Sequence, residues 1–117
     1  SMPRPIDRTG WPKHVAGETC QTLNQHWGVG RDDLNFISVA EVIQGLCTSR
    51  RVGANYLLNV GPDADGRVGE METAILHMLG RWTAKYARAI YEARPMPAVR
   101  CQGRDFVLRG RDGRIYY

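Results

Sequence analysis

Carboxylates, amides, histidines and thiols are the side chains through which this chain could do chemistry, and their spacing decides which of them to follow. Asn59 and Asp63 stand on either side of Gly61-Pro62, where the apolar run Tyr56-Leu57-Leu58-Asn59-Val60 gives way to Asp63-Ala64-Asp65-Gly66. Either can contact a ligand. The commoner use of an Asn followed by Gly-Pro-Asp is to tie up loop backbone. Residues 63–66 look like a calcium loop but have too few acidic positions and no Glu at the closing one, so no metal is expected. His14, His26 and His77 lack the spacing of a metal site or a triad. Cys20, Cys47 and Cys101 are odd in number and lack metal-ligand spacing, which argues against a disulfide framework. Cys47 falls on the apolar side of a predicted helix and reads as a small buried hydrophobe. Nucleophilic Ser or Cys catalysis is not favoured, for want of a neighbouring base motif, and no cofactor is expected.

The elements that must hold these residues follow from local signals. Gly61-Pro62 ends the run at 56–60 sharply, and its apolar character with flanking Gly and Pro predicts a strand covered on both faces, as in a parallel sheet. Before it, Ser38 and Glu41 form a capping box. Val39, Val42, Ile43, Leu46 and Cys47 recur on one helical side, and Gly53 stops the helix. Arg50 and Arg51 suit the negative end of that helix. Glu18 to Leu23 predicts a short strand or strand end, followed by a polar loop through Asn35 that carries His26-Trp27-Gly28. Residues 1–17, with three Pro, two Gly and Trp11, read as an irregular lead-in. After the central strand a longer helix is expected from Glu70 to Ala89, with an apolar stripe of Met71, Ala74, Ile75, Met78, Leu79, Trp82, Tyr86 and Ile90. Beyond the linker Arg94-Pro95-Met96-Pro97, Phe106-Val107-Leu108 and Ile115-Tyr116-Tyr117 flank Gly110-Arg111-Asp112-Gly113, a hairpin signal.

Strand, helix, strand and helix in this order predict an α/β fold with a parallel βαβ unit, followed by a hairpin. Two strands do not finish a parallel sheet. Their edges would expose unpaired N–H and C=O groups, so another copy of the chain or a missing portion is expected to cover them. The 117 residues suffice for one ordinary domain, and 43% hydrophobic with 24% charged residues is a globular balance. No apolar run approaches the roughly 20 residues that cross a bilayer, so no membrane partner is expected. Net charge is +4, with the excess in Arg94, Arg100, Arg104, Arg109, Arg111 and Arg114. Strand-forming residues interrupt these arginines and no recognition motif accompanies them. A solvated hairpin surface is therefore favoured over nucleic-acid binding.

Taken together, Gly17-Glu18-Thr19-Cys20, His26-Trp27-Gly28-Val29, the capped helix from Ser38 to Arg51, Val52 to Gly66, and Glu70 to Pro95 occur in an order that resembles the C-terminal part of the α-L-fucosidases of glycoside hydrolase family 29. The resemblance implies that residues 1–95 are the last βα units of a (β/α)8-like barrel and that residues 96–117 begin the family's C-terminal β-domain. It implies retaining hydrolysis of α-L-fucosides, in which two carboxyl groups lie about 5–5.5 Å apart across the scissile bond. No residue here corresponds to the part of the barrel that carries the family's nucleophile, so the chain alone is expected to be inactive. By the same resemblance Glu18 is the candidate acid/base or site carboxylate, with an ordinary exposed or salt-bridged Glu as the alternative. Trp27, which could stack on a sugar ring or simply pack, joins Asn59 and Asp63 as candidate substrate contacts, because barrel enzymes place chemistry at the carboxyl ends of their strands. Gly17 and Val29 replace the family's usual Trp and Tyr. The implied partner is a fucosylated glycan or glycoside, bound once a homo-oligomer or the N-terminal barrel portion completes the site. The alternative is a self-associating, non-catalytic module with weak carbohydrate binding.

Overall fold

The computed structural model describes residues 17–28, 30, 32 and 34–117. The lead-in through residue 16, with Trp11 and His14, lies outside the described residues, as does Val29. Strand β1 (Glu18–Thr22) is followed by helix α1 (Val39–Val52), strand β2 (Asn55–Asn59), helix α2 (Glu70–Lys85), a π-helical turn at Arg88–Glu92, and the short strands β3 (Arg94–Pro95), β4 (Leu108–Arg109) and β5 (Ile115–Tyr116). β1 and β2 form a parallel pair, and β3-β4-β5 a separate antiparallel sheet.

Local chemistry sets the limits of α1. The Glu41 N–H donates to Ser38 Oγ at 3.2 Å, and the Ser38 N–H donates to Glu41 Oε2 at 2.8 Å, so the predicted capping box is present. Gly53 closes the helix in the left-handed region, at φ 73°. The Ser38 N–H, and after it the Ser38 hydroxyl, holds the Glu41 carboxyl below the usual glutamate range. A carboxyl depressed in the folded state contributes stability above its unfolded value, and that contribution is lost as pH falls through the folded value. Denaturation at neutral and at acid pH should therefore show wild type losing more stability on acidification than Glu41→Gln, whose amide keeps the box without titrating. Equal losses would show that the box carries no pH dependence.

Leu23, Val42 and Ile75 are the buried centre of the core, with Phe36, Tyr56, Leu58 and Leu79 packed around them. Within this chain β2 is covered on one face only. Its residues alternate, with Tyr56 and Leu58 half-buried on the helix side and Asn55 and Leu57 exposed, Leu57 to 47%. The reason is that α1 and α2 both contribute to the one core cluster, on a single side of the two strands. The stripe on α2 is corrected. Ile75 and Ile90 are buried, but Met71, Met78 and Tyr86 are exposed, and the buried position in the first turn is Glu72. Its carboxylate folds back over Gly69, the residue that precedes the helix. α2 ends at Lys85, and residues 88–92 continue as the π-helical turn.

The hairpin forms where the sequence places it. Gly110 N–H donates to the Arg114 carbonyl at 2.8 Å, and Gly113 adopts φ 81°, a conformation that side-chain-bearing residues rarely adopt. Arg94-Pro95, read from the sequence as linker, pairs with β4 as an edge strand. Arg50 and Arg51 do more than complement the helix dipole. An Arg50 Nη2 donates to the buried Ala93 carbonyl and Arg51 Nη1 to the Gly103 carbonyl at 3.3 Å, so the end of α1 is tied to the segment that leads into and through the second sheet. No described helix is long and apolar enough to cross a membrane.

Candidate functional site

Parallel pairing puts like ends of β1 and β2 together. Glu18 pairs with Asn55 at one end and Thr22 with Asn59 at the other. At the carboxyl end the Leu23 N–H donates to the Asn59 carbonyl at 3.2 Å, and both strands then enter polar loops. These loops hold each other. Asn59 Nδ2 donates to the Trp27 carbonyl at 3.1 Å, and the buried Asn24 accepts from the His26 N–H at 3.3 Å. Gly61 lies flat against Gly28, so closely that a Cβ there would meet the Gly28 carbonyl carbon at 2.8 Å. The result is a fixed platform from which Trp27, 64% exposed, is presented to solvent.

Asp63 belongs to the same end but its carboxylate is already engaged. Oδ1 accepts from the N–H groups of Asp65 and Arg67 at 2.9 and 2.8 Å, and Oδ2 faces Arg67 Nε at 3.4 Å. This is the loop-tying role, an Asx turn that shapes residues 63–67. Trp27, Asn59 and Asp63 therefore follow the same end of the strands, Asn59 as an anchor of the Trp27 loop and Asp63 as the organiser of its own turn.

Glu18 is not brought to them. It is the first residue of β1, and four further residues at about 3.3 Å each separate it by roughly 13 Å from the carboxyl end. Its Oε2 accepts from Asn55 Nδ2 at 2.6 Å, a bond that ties the starting ends of the two strands. Glu18 thus stands at the starting ends of the two strands, and its pairing with Asn55 there is what the order of residues in the sequence does not reveal.

Other groups take their ordinary roles. Burial pushes the half-buried Cys47 thiol up, as befits a packed small hydrophobe. Burial also raises the Tyr56 hydroxyl, which donates to Gln21 Oε1 at 2.7 Å. Among the described residues no three metal-ligating side chains converge, and the cysteines are free. A cavity of about 610 Å³ lies beside the start of β2, between Leu46 and Arg50 of α1 and Leu79 and Thr83 of α2, and contains none of Trp27, Asn59 or Asp63. The residues that sequence reasoning missed are Asn24 and the Gly28–Gly61 contact. Two glycines in loops that leave adjacent strands were the available signal.

Parallel strands joined through a helix form a βαβ unit, and open α/β sheets carry ligand sites at the carboxyl ends of their strands. The chain belongs to the α-L-fucosidase family of glycoside hydrolases, whose family model, described as alpha-L-fucosidase, matches residues 6–88. The tissue α-L-fucosidase of Macaca fascicularis is 33% identical over 81 residues, 67% of this chain and 17% of that protein. Among solved structures, a family 29 α-L-fucosidase of Bacteroides thetaiotaomicron superposes with a TM-score of 0.80 at 25% identity, over all of this chain and 27% of that one. α-L-Fucosidase isoenzyme 1 of Paenibacillus thiaminolyticus gives 0.78 at 27% identity, over 90% of this chain and 24% of that one. The chain thus spans about a sixth to a quarter of the length of these relatives.

Proposed function

We propose that this chain is one sector of an α-L-fucosidase catalytic unit, the residues up to Ala93 belonging to the last βα units of the barrel and the sheet of β3, β4 and β5 being the start of a β-domain. The carboxyl ends of β1 and β2 supply part of the fucoside-binding face, and the chain by itself does not hydrolyse. The single observation that carries this reading is the platform of Asn59, Gly61 and Trp27 at the end where α/β enzymes bind ligand. Open strand edges and the exposed Leu57 side of the sheet are the surfaces that the remaining barrel would cover.

In the proposed complete site, retaining hydrolysis needs two carboxyl groups about 5–5.5 Å apart. The Bacteroides relative was trapped as a covalent intermediate, with 2-fluoro-fucosyl fluoride and a Glu-to-Gln variant. Neither carboxyl group of that pair is assigned to this chain. Glu18, held by Asn55 at the opposite strand ends, acts as a clamp there. Trp27 stacks on the sugar, Asn59 fixes its loop, and Asp63 shapes the neighbouring turn.

The test is hydrolysis of an aryl α-L-fucoside by the chain alone and by the chain joined to the preceding barrel portion of a relative. No turnover alone and turnover in the joined protein are expected. Hydrolysis by the isolated chain would contradict the reading. A second reading, a self-associated module, rests on the same unpaired edges, and a concentration-independent monomer in sedimentation would count against it.

A further inference from the structure

The second sheet carries a charge arrangement that the fucoside site does not use. β3 and β4 place Arg94 directly opposite Arg109. Cross-strand neighbours have Cβ atoms about 5 Å apart, and like charges in that position are destabilising. Arg111, two residues on, lines the same hollow of about 320 Å³, together with Glu92 and an apolar wall that includes Pro95 and Met96. All three arginines are exposed, and among the described residues none of them makes an ion pair, whereas Arg67 and Arg114 each pair with an aspartate. Asp112, the carboxylate next to Arg111, is taken by Arg114. Three arginines therefore line the hollow, with Glu92 as the single acidic residue among its lining.

We propose that this hollow binds an oxyanionic group, a sulfate ester or phosphate monoester on a small organic body. Guanidinium forks match tetrahedral oxyanions bidentately, and an anion seated between Arg94 and Arg109 turns their repulsion into two charge-assisted attractions. The apolar wall suits the carbon skeleton that carries the ester. This site is independent of the fucoside reading, since it lies on the hairpin sheet and shares no residue with the Trp27 platform.

Titration calorimetry of the full chain with glucose 6-sulfate, glucose 6-phosphate, inorganic sulfate, inorganic phosphate and plain glucose tests it. Saturable binding of one of the esters is expected, weakened roughly tenfold or more by Arg94→Gln or Arg109→Gln and left within about twofold by Arg81→Gln on the exposed side of α2. A stronger response to the sulfate than to the phosphate ester, or the reverse, identifies the source of the anion. Equal weakening by all three variants would reduce the effect to net charge and overturn the proposal, as would absence of saturable binding by both esters. Without ligand, Arg109→Gln should melt at or above the wild-type temperature because it relieves repulsion. A lower midpoint would reveal an internal partner for Arg109, and would overturn the proposal too.

Discussion

Replacing Gly61 with alanine is expected to dislodge the Trp27 loop from the end of β2. The added Cβ would stand 2.8 Å from the Gly28 carbonyl carbon and 3.0 Å from its Cα. Both obstacles are backbone, so no side chain can swing away to make room. The loop must move or the strand end must bend, and either stretches the 3.1 Å bond from Asn59 Nδ2 to the Trp27 carbonyl. Overpacking of this kind costs about 1–3 kcal/mol. The indole N–H resonance of Trp27, assigned by its loss in Trp27→Phe, should shift and broaden in Gly61→Ala while that of Trp82 stays in place. An unchanged Trp27 resonance would mean that the two loops are not locked together.

The largest loss of stability is expected from Leu23→Ala. Leu23 is 1% exposed, meets Val42 and Ile75 in the core, and joins three segments through its backbone. Its N–H reaches the Asn59 carbonyl, and its own carbonyl accepts from Ile37 at 2.8 Å. Truncating a fully buried leucine costs about 2–5 kcal/mol. A domain holds only about 5–15 kcal/mol in total. Urea unfolding should therefore show a much lower midpoint with an unchanged slope. Leu57→Ala, at a 47% exposed position on the same sheet, should cost under about 1 kcal/mol. Equal costs at the two positions would place the core elsewhere.

What could be read from the sequence was what neighbouring residues decide among themselves. Ser38 and Glu41 complete their box within one turn of helix, and Asp112-Gly113 makes its hairpin turn within four residues. Neither needs a distant partner. The features that the sequence leaves open all depend on one. Leu57 looks like core because its neighbours are apolar, but whether it is covered depends on a layer of structure on the far side of the sheet. Met71 and Met78 lie at helical spacing with Ile75, yet only the position of α1 decides which edge of that stripe is buried. Glu18 is a further case. Its strand was expected, but the bond by which its carboxylate ties the starting ends of both strands depends on Asn55, thirty-seven residues away. Arg50 likewise looked like a local dipole partner because Ala93, whose carbonyl it holds, is distant in the chain.

The most direct measurement of the central claim compares Trp27→Ala with Glu18→Gln in the protein joined to its preceding barrel portion, using kcat and KM on an aryl α-L-fucoside. If the fucoside meets this chain at the carboxyl ends of β1 and β2, Trp27→Ala should raise KM roughly tenfold, equivalent to about 1.4 kcal/mol of binding. Glu18→Gln should leave kcat within about threefold of wild type, since general acid/base catalysis contributes roughly 10²–10⁴-fold when it is truly lost. A collapse of kcat in Glu18→Gln with an unaltered KM in Trp27→Ala would contradict this reading and move the chemistry to the opposite end of the strands.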